Sequence, residues 1–454
     1  MSEREAALRG GAVAQAGSSS VPFDRLRANG EEEHAVRGEL AEGSVRGELV
    51  EPRTSAVPSP LPPANADIPR NAGIDLLRGL SILLVVLHHI GLRIALRKTD
   101  VGAFLPKWFL NGLNYNGYES VFVFFVISGF LITGHTLRRW GSPGAIDASA
   151  FYARRFARIV PCLAALVAVL AAGHLLGWQG FVIDKPGQSL GGAVLSAFGL
   201  HLNWYEGRHG YLPGYWDVLW SLSIEELFYL GFPIACLLTR RTAVLAPLLV
   251  LFALSLPVTH AWYVDNEIWQ EKAYLPGMAA IATGVLAALV AARRGLPRKA
   301  FATALCVAGS AGFAGILFIE DILWDTFNDW TLLVLTFSIA CLLVGLHWRE
   351  RMGVSRPLRG FGWLRSFGRL SYEIYLTHMF VVFAAVRLWK AQGSELPHGW
   401  LWYLPTVPLC WLLGWIVARW FSTPADVALR KKLLGKSRAR SAPATDRTPA
   451  PGNA

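Results

Sequence analysis

Charge is what this sequence has least of. Only 17% of its 454 residues are Asp, Glu, Lys or Arg, against 53% hydrophobic, and the mean hydropathy is +0.37. Soluble globular chains carry roughly 25% charged residues, and a chain of this length would need them to cover two or three domains. The shortage excludes a soluble enzyme and points to a chain that crosses a membrane many times. Cysteine is scarce too: Cys162, Cys236, Cys306, Cys341 and Cys410 all lie in apolar stretches, with no CxxC spacing. Neither a disulfide framework nor a metal site is indicated. The N-terminus has no apolar signal-peptide core. Basic residues outnumber acidic ones, 43 to 32. No basic soluble module accompanies that excess, so it is assigned to loops beside a lipid bilayer and not to nucleic acid.

Three regions follow from composition. Residues 1–73 are polar and carry Pro58, Pro60, Pro62 and Pro63, with Val36–Leu40 repeated at Val45–Leu49; they read as a disordered cytoplasmic tail. Residues 422–454 read as a disordered basic tail. Between them, 74–421 holds eleven apolar segments, near 74–96, 119–137, 157–177, 188–202, 217–238, 242–260, 274–292, 300–319, 330–348, 369–389 and 402–421. Arginine and lysine crowd the loops after segments two, five, seven, nine and eleven, while the loops holding Asp265, Glu267 and Glu271, and Glu320, Asp321, Asp325 and Asp329, are acidic. The positive-inside rule places the basic set in the cytoplasm. The pattern closes only if segment four does not cross. The expected fold is therefore an all-α polytopic membrane protein of about ten transmembrane helices plus one short non-crossing segment, in the inner membrane with both termini cytoplasmic. Arg93, Arg97, Lys98 and Lys107, in the first outer loop, run against the rule.

Ionisable groups inside a bilayer are costly and mark functional positions by default. Arg78 and His89 are eleven residues apart, about 20° off a common helical face, with His88 about 80° off it. Taken alone, they are equally well a snorkelling arginine and a satisfied core histidine. The stretch Phe124–Thr133 (FFVISGFLIT) offers Ser128 and Gly129 for close helix packing. Phe151–Pro161 (FYARRFARIVP) places Arg155 and Arg158 where guanidinium groups can meet a cytoplasmic phosphate or simply anchor the chain. Trp220–Leu230 (WSLSIEELFYL) carries Glu225 and Glu226 well inside a span; at 1.5 Å per residue Glu225 lies at a depth comparable to His89, so the two can meet. Leu370–His378 (LSYEIYLTH) aligns Ser371 and His378.

Together and in this order, the motifs resemble the acyltransferase 3 family of integral-membrane O-acyltransferases, over about residues 70–425. The resemblance implies acyl transfer, in the first place acetyl, from cytoplasmic acyl-CoA as co-substrate to a hydroxyl of a carbohydrate or cell-envelope acceptor, with envelope glycan-synthesis proteins as further partners. It implies a catalytic set of Arg78, His89 and Glu225, and donor-binding roles for Arg155, Arg158, Tyr372 and His378. The sequence departs from the family's pattern at Phe122, Glu373, Met379 and Thr423-Pro424. The competing reading of the buried charges is a multi-pass transporter of a small solute or polysaccharide precursor; no inverted repeat favours it.

Overall fold

The computed structural model describes residues 71–262 and 266–441. Almost all of the tail expected over 1–73 lies outside them, as do residues 442–454. Every regular element among the described residues is helical: α1 (Ala72–Gly91), α2 (Lys107–Tyr115), α3 (Gly117–Trp140), α4 (Ala148–Leu175), α5 (Leu190–Phe198), α6 (Leu202–His209), α7 (Leu219–Thr239), α8 (Thr242–Leu254) and α9 (Leu256–Ala261). They continue with α10 (Glu267–Lys272), α11 (Tyr274–Ala291), α12 (Lys299–Phe318), α13 (Glu320–Phe327), α14 (Trp330–Arg351), α15 (Gly362–Arg369), α16 (Ser371–Ala391), α17 (Tyr403–Val417) and α18 (Thr423–Ser441).

Nine stretches among the described residues are long and apolar enough to cross a membrane: α1, α3, α4, α7, α10 with α11, α12, α14, α16, and the run Pro397–Gly435 containing α17. The chain is an all-α, multi-pass membrane protein. The expected span over 242–260 is built from α8 and α9, which meet at Ser255. Pro257, in the first turn of α9, has no N–H to continue the α8 ladder. The segment over 188–202 yields only the nine-residue α5, roughly 14 Å long, against a hydrocarbon core of about 30 Å. Its length agrees with the non-crossing role deduced from charge.

One boundary is corrected. The chain after Ser422 was expected to be unstructured, yet α18 runs from Thr423 to Ser441 and packs against α4. Pro424 sits in its first turn, where no helical N–H is needed, and Arg430 donates to Asp426 one turn earlier at 2.6 Å. Low hydrophobicity concealed a helix held by local charge pairing and by a neighbour.

Local signals explain the start of α1. The Asn71 side chain accepts from the amides of Gly73 and Ile74 at 2.9 and 3.1 Å, satisfying two orphan donors of the first turn. Two crossings then fix the helices that carry the site. A Cβ on Gly129 of α3 would lie 2.0 Å from the Ile281 carbonyl oxygen of α11, and one on Gly284 of α11 would lie 2.0 Å from that of Val126. Likewise a Cβ on Gly79 of α1 would meet the Leu364 oxygen of α15 at 1.9 Å. Backbones can approach this closely only where side chains are absent. Gly129→Val is therefore expected to destabilise the protein by about 1–3 kcal/mol through overpacking, read as a lowered thermal midpoint in detergent. An unchanged midpoint would show that α3 and α11 part freely.

Candidate active site

Four helices that carry separate sequence motifs enclose one cavity of about 130 Å³. Arg78 reaches it from α1, Ser128 from α3, Ser221 and Glu225 from α7, and Ser371, Tyr372 and Tyr375 from α16; Phe124, Leu131 and Leu222 are among its apolar walls. Arg78 Nη2 donates to Ser371 Oγ at 2.7 Å. The Glu225 carboxylate accepts from the hydroxyls of Ser128 and Tyr229, which also touch each other. The Ser221 and Tyr375 hydroxyls share a hydrogen bond of 2.5 Å. A small pocket whose polar groups are paired across helices is pre-organised, because each side chain is held by a neighbour on another helix.

A polar track leads out of the cavity. The Tyr375 ring centroid lies 5.8 Å from that of His378, and His378 lies 5.1 Å from His89. His89 also stands edge-on to His88 at 5.2 Å. His378 is buried, with Nδ1 2.8 Å from the Tyr375 carbonyl oxygen. A carbonyl can only accept, so Nδ1 carries the proton and Nε2 presents a lone pair. Neither that Nε2 nor His89 Nδ1 has a hydrogen-bond partner among the described residues, although both atoms are buried. Two unpaired imidazole nitrogens at such a site are poised for a group that the protein itself does not supply. The pairs Arg78–Ser371 and His89–His378 show that α1 and α16 run parallel, so the track follows their shared seam for roughly 16 Å along α1.

At the end of the cavity near the start of α4, two arginines three residues apart each cover an aromatic ring. Arg155 lies 3.9 Å over Tyr229, and Arg158 lies 4.9 Å over Tyr372. Arg158 is already engaged: Nη2 pairs with Glu373 at 2.9 Å and Nη1 donates to Ser422 Oγ at 3.1 Å, while Ser422 donates to the same carboxylate at 2.7 Å. Glu373, one of the departures noted above, thus has a structural partner. Among the described residues no group of three or more His, Cys, Asp or Glu side chains could hold a metal ion.

The sequence-derived candidates fall into three places. Arg78, Glu225 and Tyr372 meet at the cavity; Arg155 and Arg158 flank it; His89 and His378 pair with each other further along. The expected meeting of Glu225 with His89 is not formed. Glu225 turns to Ser128 and Tyr229, because equal depth on two helices does not fix the direction a side chain faces. Sequence reasoning assigned Ser128 to packing beside Gly129; only Gly129 packs, and Ser128 faces the cavity.

A second polar centre went unread. Lys272, 2% exposed, donates to Glu206 at 2.9 Å and to Asp217 at 2.6 Å. Burial raises the pKa of Glu206 while the Lys272 ammonium opposes that rise. The triad ties α6 and the segment before α7 to α10. Lys272→Ala would leave a buried carboxylate without its cation, an expected loss of about 3–5 kcal/mol. A thermal midpoint matching wild type would remove the triad from the list of supports.

The family model described as an acyltransferase domain, of the acyltransferase 3 family, matches residues 71–420. The chain belongs to this acyltransferase family. Among curated relatives, it is 24% identical over 383 residues to O-acetyltransferase OatA of Staphylococcus aureus, covering 79% of this chain and 57% of the relative. It is 26% identical over 211 residues to the peptidoglycan O-acetyltransferase OatA of Listeria monocytogenes, covering 45% of this chain and 29% of the relative. The acyltransferase thus spans less than two thirds of the length of these relatives. No solved structure matches it.

Proposed function

We propose that this acyltransferase moves an acetyl group from acyl-CoA to a hydroxyl of a carbohydrate or cell-envelope acceptor. The observation that carries the reading is the continuous polar route from Arg155 and Arg158, through the cavity bearing Arg78, Ser128 and Glu225, to the His378–His89 pair. Charge bias in the loops favours a cytoplasmic position for the arginine end, the side on which acyl-CoA is found. The Arg155 guanidinium there suits its phosphates, while Arg158 is held by Glu373. Hydroxyls of Ser128, Ser371 and Tyr372 suit the amides of its pantetheine arm, whose extended form points the thioester along the seam towards the histidines.

In the reaction, His89 removes the proton from the acceptor hydroxyl as general base. The resulting oxygen attacks the thioester carbonyl carbon, the C–S bond breaks, and the CoA sulfur leaves and takes up a proton. The lone pair on His378 Nε2 can receive a proton from this centre, so His378 serves as a relay and not as an oxyanion donor. The names of the relatives, both O-acetyltransferases and one of them a peptidoglycan O-acetyltransferase, favour an acetyl donor and a glycan acceptor.

The test is transfer of label from acetyl-CoA to envelope glycan fragments by the purified protein in proteoliposomes. No transfer to any glycan, from acetyl-CoA or longer thioesters, would overturn the reading. A finer expectation concerns the donor: Arg155→Gln should raise KM for acetyl-CoA about tenfold through loss of a charge-assisted contact. It should leave KM for a phosphate-free acetyl thioester unchanged, and equal effects on both donors would place the phosphates elsewhere.

A further inference from the structure

From the last turn of α14 to the start of α16 the chain carries Arg349, Arg351, Arg356, Arg359, Arg365 and Arg369, with no acidic residue between Glu350 and Glu373. The first two are occupied: Arg349 donates to Thr303 at 2.6 Å, and Arg351 to the Arg293 carbonyl at 2.9 Å. The side chains of the other four form no hydrogen bond or ion pair among the described residues, and Arg356, Arg359 and Arg369 are exposed. The helix that carries Arg365 and Arg369 forms one side of an open apolar groove of about 430 Å³, walled by Trp363, Ser366 and Phe367 of α15 and by Val407, Pro408 and Trp411 of α17. Its polar groups are satisfied internally, since Trp411 Nε1 donates to Ser366 Oγ at 3.0 Å. Trp363 is 53% exposed at its edge.

The helix separates its faces cleanly. At roughly 100° per residue, Trp363, Ser366 and Phe367 share one arc towards the groove, and Leu364 and Gly368 point at α1. Arg365 and Arg369 share a third arc. The contact of Gly368 with Asp75 and of Leu364 with Gly79 sets α15 at the first two turns of α1, at one end of the bundle. A short helix with aromatic residues on one side and arginines on another, lying where a spanning helix begins, has the pattern of an element seated in the bilayer interface.

We propose that this groove and its arginines form a binding site for an anionic phospholipid, one acyl chain lying against Trp363, Phe367 and Trp411 and the headgroup phosphate meeting Arg365 and Arg369. The apolar walls argue for a lipid over a free phosphate. The uncompensated arginines argue for an anionic headgroup over a zwitterionic one.

The test uses the full chain purified in mixed micelles of phosphatidylglycerol and phosphatidylcholine, with retained lipid counted by native mass spectrometry. Wild type is expected to retain phosphatidylglycerol about fivefold above its bulk ratio, with Arg365→Gln/Arg369→Gln returning to the bulk ratio. Trp363→Ala, which keeps the charges, is expected to retain less lipid of either kind while preserving the preference. Retention at the bulk ratio by wild type, an undiminished preference in the double arginine variant, or displacement by equimolar inorganic phosphate would each overturn the proposal. None of these readouts depends on acyl transfer.

Discussion

Replacing His89 by alanine is expected to lower acetyl transfer from acetyl-CoA by about 10²–10⁴-fold, the usual contribution of a positioned general base. The expectation rests on geometry more than on residue type. His89 has a buried, unpartnered Nδ1 and a histidine neighbour, His378, whose hydrogen bond to Tyr375 leaves its own Nε2 free to take a proton. Among the described residues the His89–His378 pair stands next to Tyr375 of the cavity, with His88 edge-on to His89. Label transfer in proteoliposomes measures the effect, with circular dichroism and a thermal midpoint to show that the variant folds. Turnover near wild type would remove His89 from the reaction, and with it the proposed role of the seam between α1 and α16.

Glu225→Gln is expected to cost about 10²-fold in kcat/KM, and for a different reason. The carboxylate gathers the hydroxyls of Ser128 and Tyr229, and Tyr229 in turn supports the Arg155 guanidinium. An amide keeps the volume but loses the charge-assisted acceptor, so the cavity wall and the donor-side arginine loosen together. The loss should fall mainly on KM for acyl-CoA. The pH profile of the remaining activity should superimpose on that of wild type, because Glu225 does not touch His89. A displaced profile would mean that the two residues communicate directly during the reaction, whatever their resting positions.

The contrast between these two residues marks where the sequence was legible. Hydropathy and loop charge placed the spans, and the shortness of α5 agrees with the charge arithmetic over 188–202. Intramembrane charge singled out Arg78, Glu225 and His89 because desolvation makes such residues rare without a purpose. Helical periodicity then aligned Arg78 with His89 correctly along α1, since both lie on the seam with α16. It could not say which way Glu225 turns, because rotation of one helix about its axis relative to another is set by packing at glycines such as Gly129 and Gly284. Ser128 was hidden by its neighbour: a small residue beside a packing glycine carries the same signature whether it packs or lines a cavity. Lys272 was hidden by distance, as its carboxylates are 66 and 55 positions away in the chain. The helical α18 was hidden by composition, since it packs on α4 and carries a local ion pair within a polar, basic sequence.

The seam between α1 and α16 joins residues 293 positions apart, Arg78 and Ser371. Helix α1 precedes its partner α16 in the chain by most of the other spanning helices, so it is synthesised well before it. Until then Arg78 has no Ser371, His89 has no His378, and the cavity lacks the wall that Tyr372 and Tyr375 provide. A chain caught part-way through insertion therefore has an incomplete cavity. Late arrival of α16 means that the cavity closes only late in the order of membrane insertion.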